Sequence, residues 1–114
     1  MSVQLSWSGR IMMYVIDENL FTKAIGVSYQ SPQGKRFRQI AIRSLQKVEQ
    51  DIAHNQESTK HLAHRIRGIA LSCGVVDIGR ICSKIELYDS VISDHLAQKA
   101  LKDSVNILIH LCEE

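Results

Sequence analysis

Apolar residues recur every three or four positions along most of the chain beyond residue 15. That spacing predicts amphipathic helices whose apolar stripes face a common core. We expect a short helix from Asp17 to Ile25, with Asp17 as its N-cap. A long helix should follow, beginning at Ser31 or Lys35 and ending near His54.

The third predicted helix contains the most unusual polar residues of the chain. We expect it to be capped by Asn55 or Ser58 and to run to Cys73. Gly74 suits the left-handed turn that ends such a helix.

Two more apolar stripes, at 78–92 and 97–112, predict the remaining helices. We expect no strands, and no hairpin dipeptide such as Asn-Gly occurs. Four long amphipathic segments with short links bury their stripes most simply against one another. The sequence therefore predicts an all-α fold, an antiparallel four-helix bundle with a short extra N-terminal helix. This domain would span 15–114, after an N-terminal extension at 1–14.

The composition is that of one globular domain. The 114 residues include 45% hydrophobic and 23% charged residues, and a net charge of +2 does not indicate nucleic-acid binding. No run approaches the roughly 18 apolar residues of a membrane span, and no signal-peptide pattern follows the apolar stretch at 11–16. We expect a cytoplasmic protein without membrane contact.

The three cysteines, Cys73, Cys82 and Cys112, occupy apolar helical positions and form no C-x-x-C pair. An odd number of cysteines at such positions predicts reduced core thiols. A structural zinc site would need paired ligands, which the sequence lacks.

His64 lies on the wrong side of its helix for a core residue. The apolar residues of this helix share one side: Leu62, Ile66, Ile69, Ala70 and Cys73. His64 points the opposite way, with Lys60 one turn before it and Arg67 and Gly68 one turn after it. The simplest interpretation is an ordinary polar surface residue.

Two chemical interpretations compete with that one. His61 and His64 could share a metal ion, with His54 near the helix junction, but no carboxylate lies within the same turns and the neighbouring cations would repel a metal. Alternatively, the neutral imidazole of His64 could accept a phosphoryl group. Lys60 and Arg67 would then offset the added negative charge, and Gly68 would leave room for a second protein.

The stretch Ala-His-Arg-Ile-Arg-Gly-Ile-Ala at 63–70, then Gly74 and Cys-Ser-Lys-Ile-Glu at 82–86, resembles the histidine-containing phosphotransfer (HPt) domain. That family's pattern has an aliphatic residue two positions after the histidine, Lys or Arg after three and Gly after four. The resemblance covers residues 15–114. Arg67 stands where Lys is more usual, and Ile69 where a small residue is frequent.

The resemblance implies a phosphorelay intermediate with no kinase activity of its own. His64 would accept a phosphoryl group from the aspartate of one receiver domain and pass it to another, with Arg67 as the charge partner of the phosphoryl group. We expect Lys60, His61, Arg65 and Gly68 to contact the partner.

Its partners would be response-regulator receiver domains and a hybrid sensor histidine kinase. Mg²⁺ would come from the receiver, and this chain would contribute neither metal nor cofactor. We expect a monomer.

Two further functions stay open. The domain could dock receiver domains or helical partners without carrying phosphate. It could also be the dimerisation and phosphoacceptor domain of a histidine kinase. Those domains usually have an acidic residue after the histidine, whereas Arg65 stands here, and the chain has no ATP-binding glycine boxes.

Overall fold

The computed structural model describes residues 2–7, 10–55 and 57–114, with side chains from Tyr14 onward. In chain order its elements are two strands, β1 (Ser2–Trp7) and β2 (Arg10–Val15), and five helices, α1 (Glu18–Ile25), α2 (Pro32–His54), α3 (Thr59–Ser72), α4 (Val76–Leu87) and α5 (Asp94–Glu113). All five helices lie where apolar stripes predict them, so the helical fold is confirmed. No helix in these ranges is long and apolar enough to cross a membrane.

Short polar side chains define where most of the helices begin. Asp17, Ser31, Ser58 and Ser93 each accept a hydrogen bond from a backbone N–H in the first turn of the following helix. Of the two predicted N-caps of α3, Ser58 is the residue whose side chain caps the helix, by accepting a hydrogen bond from the His61 N–H. Asn55 instead ends α2 in the left-handed region, at φ 54°.

The turn after α3 is fixed by contact with the start of α1. Gly74 has φ 80°, and its carbonyl accepts a hydrogen bond from the Asp17 N–H at 2.9 Å. A β-carbon at Gly74 would collide with the Asp17 carbonyl oxygen. The close approach of the two backbones and the positive φ both require glycine here.

The helices enclose one apolar core. α3 packs mainly against α4 and α2 packs mainly against α5, while α3 also contacts α5, α2 and α1. Tyr14 of β2 and Tyr29, between α1 and α2, are fully buried together with large side chains of the helices. Among these helical side chains are Phe21, Leu45, Leu62, Ile66, Ile78, Leu101, Leu108 and Leu111. All three cysteines are buried and free, as predicted.

Several side chains depart from the predicted stripes. In α2 the apolar spacing of Phe37, Ala41 and Leu45 predicts that Arg38 faces solvent. Arg38 is instead buried, with its guanidinium 4.0 Å from the centre of the Tyr29 ring. The same helical spacing places Ile40, and on the stripe at 78–92 Tyr88, toward the core, but both are about half exposed. α2 is therefore rotated relative to its predicted stripe near its start, because the buried Tyr29 ring gives Arg38 a partner.

The N-terminal strands were not predicted. β1 and β2 pair as an antiparallel two-stranded sheet, with Ser2 opposite Val15 and Trp7 opposite Arg10. The expectation of a chain without strands is therefore wrong at 2–7 and 10–15. Tyr14, at the end of the proposed extension, is a fully buried core residue.

We predict that Leu62→Ala lowers the free energy of unfolding by about 2–5 kcal/mol, because it leaves a cavity in the core. Leu62 is 1% exposed, whereas Leu96 on α5 is 59% exposed. Leu96→Ala is the matched control and should change stability by less than about 0.5 kcal/mol. Urea denaturation followed by circular dichroism measures both. Equal losses for the two variants would contradict the core placement of Leu62.

Candidate functional site

His64 lies in the middle of α3 with its side chain 61% exposed. The residues on the other side of this helix, among them Leu62, Ala63 and Ile66, are fully buried. Since successive helical residues are about 100° apart, burying that face directs His64 outward. The predicted exposure of the imidazole is therefore confirmed.

A carboxylate from α4 holds one nitrogen of the imidazole. The distance from His64 Nδ1 to Glu86 Oε1 is 2.9 Å. Arg67 completes the cluster, with Nη1 3.1 Å from Glu86 Oε2 and Nη2 3.2 Å from His64 Nδ1. The Glu86 side chain is 16% exposed, so its charge is largely shielded from water and is balanced by Arg67.

The shorter of the two contacts at His64 Nδ1 favours one tautomer of the imidazole. An ionised carboxylate can only accept hydrogen bonds, so the contact of 2.9 Å between His64 and Glu86 places a proton on Nδ1. Arg67 can only donate, so with the proton on Nδ1 its Nη2, 3.2 Å from Nδ1, makes no hydrogen bond to the imidazole. Its Nη1 is held by the ion pair with Glu86 Oε2 at 3.1 Å. Nε2 is left with a free lone pair, and no side chain in the described part of the chain bonds it.

The expectation that the His64 face has no carboxylate was wrong. It considered only α3 itself, whereas Glu86 comes from α4, 22 positions later in the chain. Glu86 belongs to the motif at 82–86 that carries the HPt resemblance, where no role was predicted for it. The signal that could have identified it is its place on the helix that follows α3.

The other predicted site residues fall into two groups. Lys60 and Gly68 are exposed on α3, and a β-carbon at Gly68 would have no neighbour within 4 Å. His61 is also exposed, with Nδ1 3.3 Å from Glu57 Oε2. Arg65 differs, because its guanidinium turns toward acidic side chains of the same molecule.

Arg65 joins α3 to the end of α2. Its Nη1 donates to Asp51 Oδ2 and to Glu57 Oε1, each at 2.8 Å, and Lys47 lies 3.2 Å from Asp51 Oδ1. The hydrogen bond from Arg65, assisted by Lys47, lowers the pKa of Asp51. The same contact raises the pKa of Arg65. These ion pairs indicate that Arg65 positions α3 in the free protein.

The proposed histidine metal site is not assembled. His54 Nδ1 lies 2.7 Å from the Gln50 carbonyl, and His61 and His64 each contact a different glutamate. Within the described ranges, no three side chains of metal-ligating type are placed to hold one ion.

Comparison with protein-family models, with curated proteins and with solved structures finds no match to this chain.

We predict that Asp51→Asn destabilises the protein at neutral pH and that the deficit shrinks in acid. A lowered folded-state pKa contributes stability above the ordinary carboxyl pKa of about 4, and this contribution is lost as the pH falls through the folded value. Thermal unfolding at pH 7 and at steps down to about pH 3 measures the difference from wild type.

The control for this prediction is Asp77→Asn, which removes an exposed ion pair with Arg80. Exposed pairs contribute little, so this variant should unfold like wild type at each pH. A deficit for Asp51→Asn that stays constant over the whole pH range would contradict the role of its charge.

Proposed function

We propose that this chain is a phosphorelay intermediate of the HPt type. His64 accepts a phosphoryl group from the phosphorylated aspartate of one receiver domain and passes it to an aspartate of another. The proposal includes the finer architecture, an antiparallel four-helix bundle of α2 to α5 with α1 as an extra helix. The observation that carries it is an exposed imidazole whose Nδ1 is held by Glu86 while Nε2 is free.

The transfer is a displacement at phosphorus. The Nε2 lone pair attacks the phosphorus atom, the bond from phosphorus to the aspartyl oxygen breaks, and the aspartate leaves as a carboxylate. The imidazole ring gains positive charge as the new bond forms. Glu86 stabilises that charge through the hydrogen bond from Nδ1–H, and it keeps the ring fixed for in-line attack.

Arg67 pairs with Glu86 in the free protein and with the phosphoryl group after transfer. In the free protein its guanidinium is paired with Glu86 at 3.1 Å, on the Nδ1 side of the imidazole. A phosphoryl group on Nε2 lies across the ring, so Arg67 reaches it by rotation of its flexible side chain. Its charge then offsets the phosphoryl oxygens, which is the role that the HPt resemblance implies.

Gly68 supports access by a partner protein. It is exposed one turn after His64, and nothing in the fold occupies the space where a side chain would stand. Glycine within a helix costs about 1 kcal/mol relative to alanine. Since the packing does not require glycine here, the space beside His64 is available to a docking receiver.

A second candidate function is a docking module that carries no phosphate. An open cleft of about 520 Å³ between α2 and α3 favours it, because Arg43, Lys47 and Arg65 line this cleft above an apolar floor of Val48 and Ile69. Lys47 and Arg65 are already paired with Asp51 and Glu57, which leaves the cleft a net positive charge of one. A weakly cationic cleft with apolar lining suits an amphipathic partner with acidic residues. Such binding would not need His64.

The direct experiment offers wild type and His64→Gln to a receiver domain carrying radiolabelled phosphate on its aspartate, with Mg²⁺ present. We expect wild type to become labelled and His64→Gln to stay unlabelled. His110→Gln, which removes an exposed histidine on α5, is the matched control and should be labelled like wild type. Label on His64→Gln would refute the site, and a wild type that binds receivers without label would favour the docking module.

We predict that Glu86→Gln slows phosphorylation of His64 by roughly tenfold, because a neutral amide accepts a weaker hydrogen bond than a carboxylate does. Phosphoramidate serves as a small phosphoryl donor, so no partner protein is needed. NMR of the product should place the phosphoryl group on Nε2 in wild type.

Glu49→Gln, an exposed glutamate of α2, is the control for this variant and should react like wild type. Equal rates for wild type and Glu86→Gln, or a product phosphorylated on Nδ1, would contradict the role of Glu86.

A further inference from the structure

Two of the buried thiols lie against each other at the ends of different helices. Cys73 is the C-cap of α3, and Cys112 is the next-to-last residue of α5. Their sulfur atoms are 3.7 Å apart although the residues are 39 positions apart in the chain. A sulfur–sulfur bond is near 2.0 Å, so the two atoms need to approach by only about 1.7 Å.

Cys112 lies nearer to solvent than Cys73, at 3% exposure against 0%. It lines a cavity of about 350 Å³ at the end of α5, together with Lys35, Arg38 and Gln39. It also belongs to the last turn of its helix, where backbone hydrogen bonds are fewest and the chain opens most readily. Local opening of this last turn would expose the Cys112 sulfur to a small oxidant while the rest of the core stays folded.

The surroundings of Cys112 favour its reactive, deprotonated form. A hydrogen bond from the Cys73 thiol lowers the pKa of Cys112, and the positive charge of Arg38 lowers it further against the opposing effect of burial. Arg38 is held in place because its Nη1 donates to the Tyr29 hydroxyl at 3.1 Å and to the Cys112 carbonyl at 3.2 Å. Thiolates beside fixed cations are the cysteines that oxidants select.

We propose that Cys73 and Cys112 form an oxidation site, which hydrogen peroxide converts into an intramolecular disulfide joining the end of α3 to the last turn of α5. The Cys112 thiolate attacks one peroxide oxygen and the O–O bond breaks, giving a sulfenic acid and hydroxide. The Cys73 sulfur then attacks the sulfenic sulfur, the S–O bond breaks and water leaves. The two sulfurs together lose two electrons, and one peroxide is reduced to two waters.

The third cysteine provides an internal control. Cys82 is buried on α4, and burial raises its pKa to about 12. In the described part of the chain it has no sulfur partner, since the one thiol contact is between Cys73 and Cys112. It should stay a thiol under conditions that oxidise the pair.

The experiment treats the reduced full-length chain with hydrogen peroxide, denatures it in an alkylating agent and maps the peptides by mass spectrometry without reduction. Before alkylation the oxidised chain should be a monomer about 2 Da lighter than the reduced chain. After alkylation we expect a peptide pair linked through Cys73 and Cys112 and an alkyl group on Cys82 alone. Dithiothreitol should restore three alkylated cysteines. The midpoint of thermal unfolding should rise on oxidation and fall back on reduction, because the bond closes a long loop.

Cysteine variants distinguish a specific disulfide between Cys73 and Cys112 from unselective oxidation of all the cysteines. Cys82→Ala should still form the linked peptide, whereas Cys73→Ala should not and should instead stop at a sulfenic acid on Cys112 that a dimedone probe captures. Alkylation of all three wild-type cysteines after peroxide would overturn the proposal. So would a disulfide that includes Cys82 or one that joins two chains. Mapping of the wild type alone decides these outcomes if a variant does not fold.

Discussion

The burial of one face of α3 determines what the rest of the molecule can present. Leu62, Ala63, Ile66 and Ala70 are all fully buried, and the neighbouring helices meet on that side. The opposite face must then be left to solvent, and His64 lies on it. Because α4 packs most closely on α3, the same packing brings a carboxylate of α4 to the imidazole. The candidate site is therefore built from two packed helices rather than from a loop, and helices hold side chains more precisely than loops do.

Local periodicity was sufficient to predict the helices, because each stripe and each cap depends on residues within one or two turns. The caps Ser31 and Ser58 are examples. Arg38 could not be placed in this way, since its burial depends on the ring of Tyr29, which precedes α2. The strand alternation at 2–7 was present in the sequence and was missed because the run is short.

In the candidate site, too, features set within one helix were predicted and contacts between helices were not. The exposure of His64 and Gly68 follows from the helical wheel of α3 alone, and both were predicted. Glu86 contacts His64 only because α4 lies beside α3, and the direction of Arg65 depends on Asp51 at the end of α2. Such contacts depend on how whole helices are rotated against one another. A single sequence carries little information on that rotation.

The backbone contact between Asp17 and Gly74 links the stability of two distant parts of the chain. α1 has eight residues, too few to be stable in isolation, so it persists because Phe21 packs in the core and Asp17 bonds the turn after α3. Breaking that turn removes the support of α1 and the C-terminal anchor of α3 at once. α1 and the last turn of α3 should therefore open as one cooperative unit in native-state hydrogen exchange, leaving the earlier turns around His64 protected.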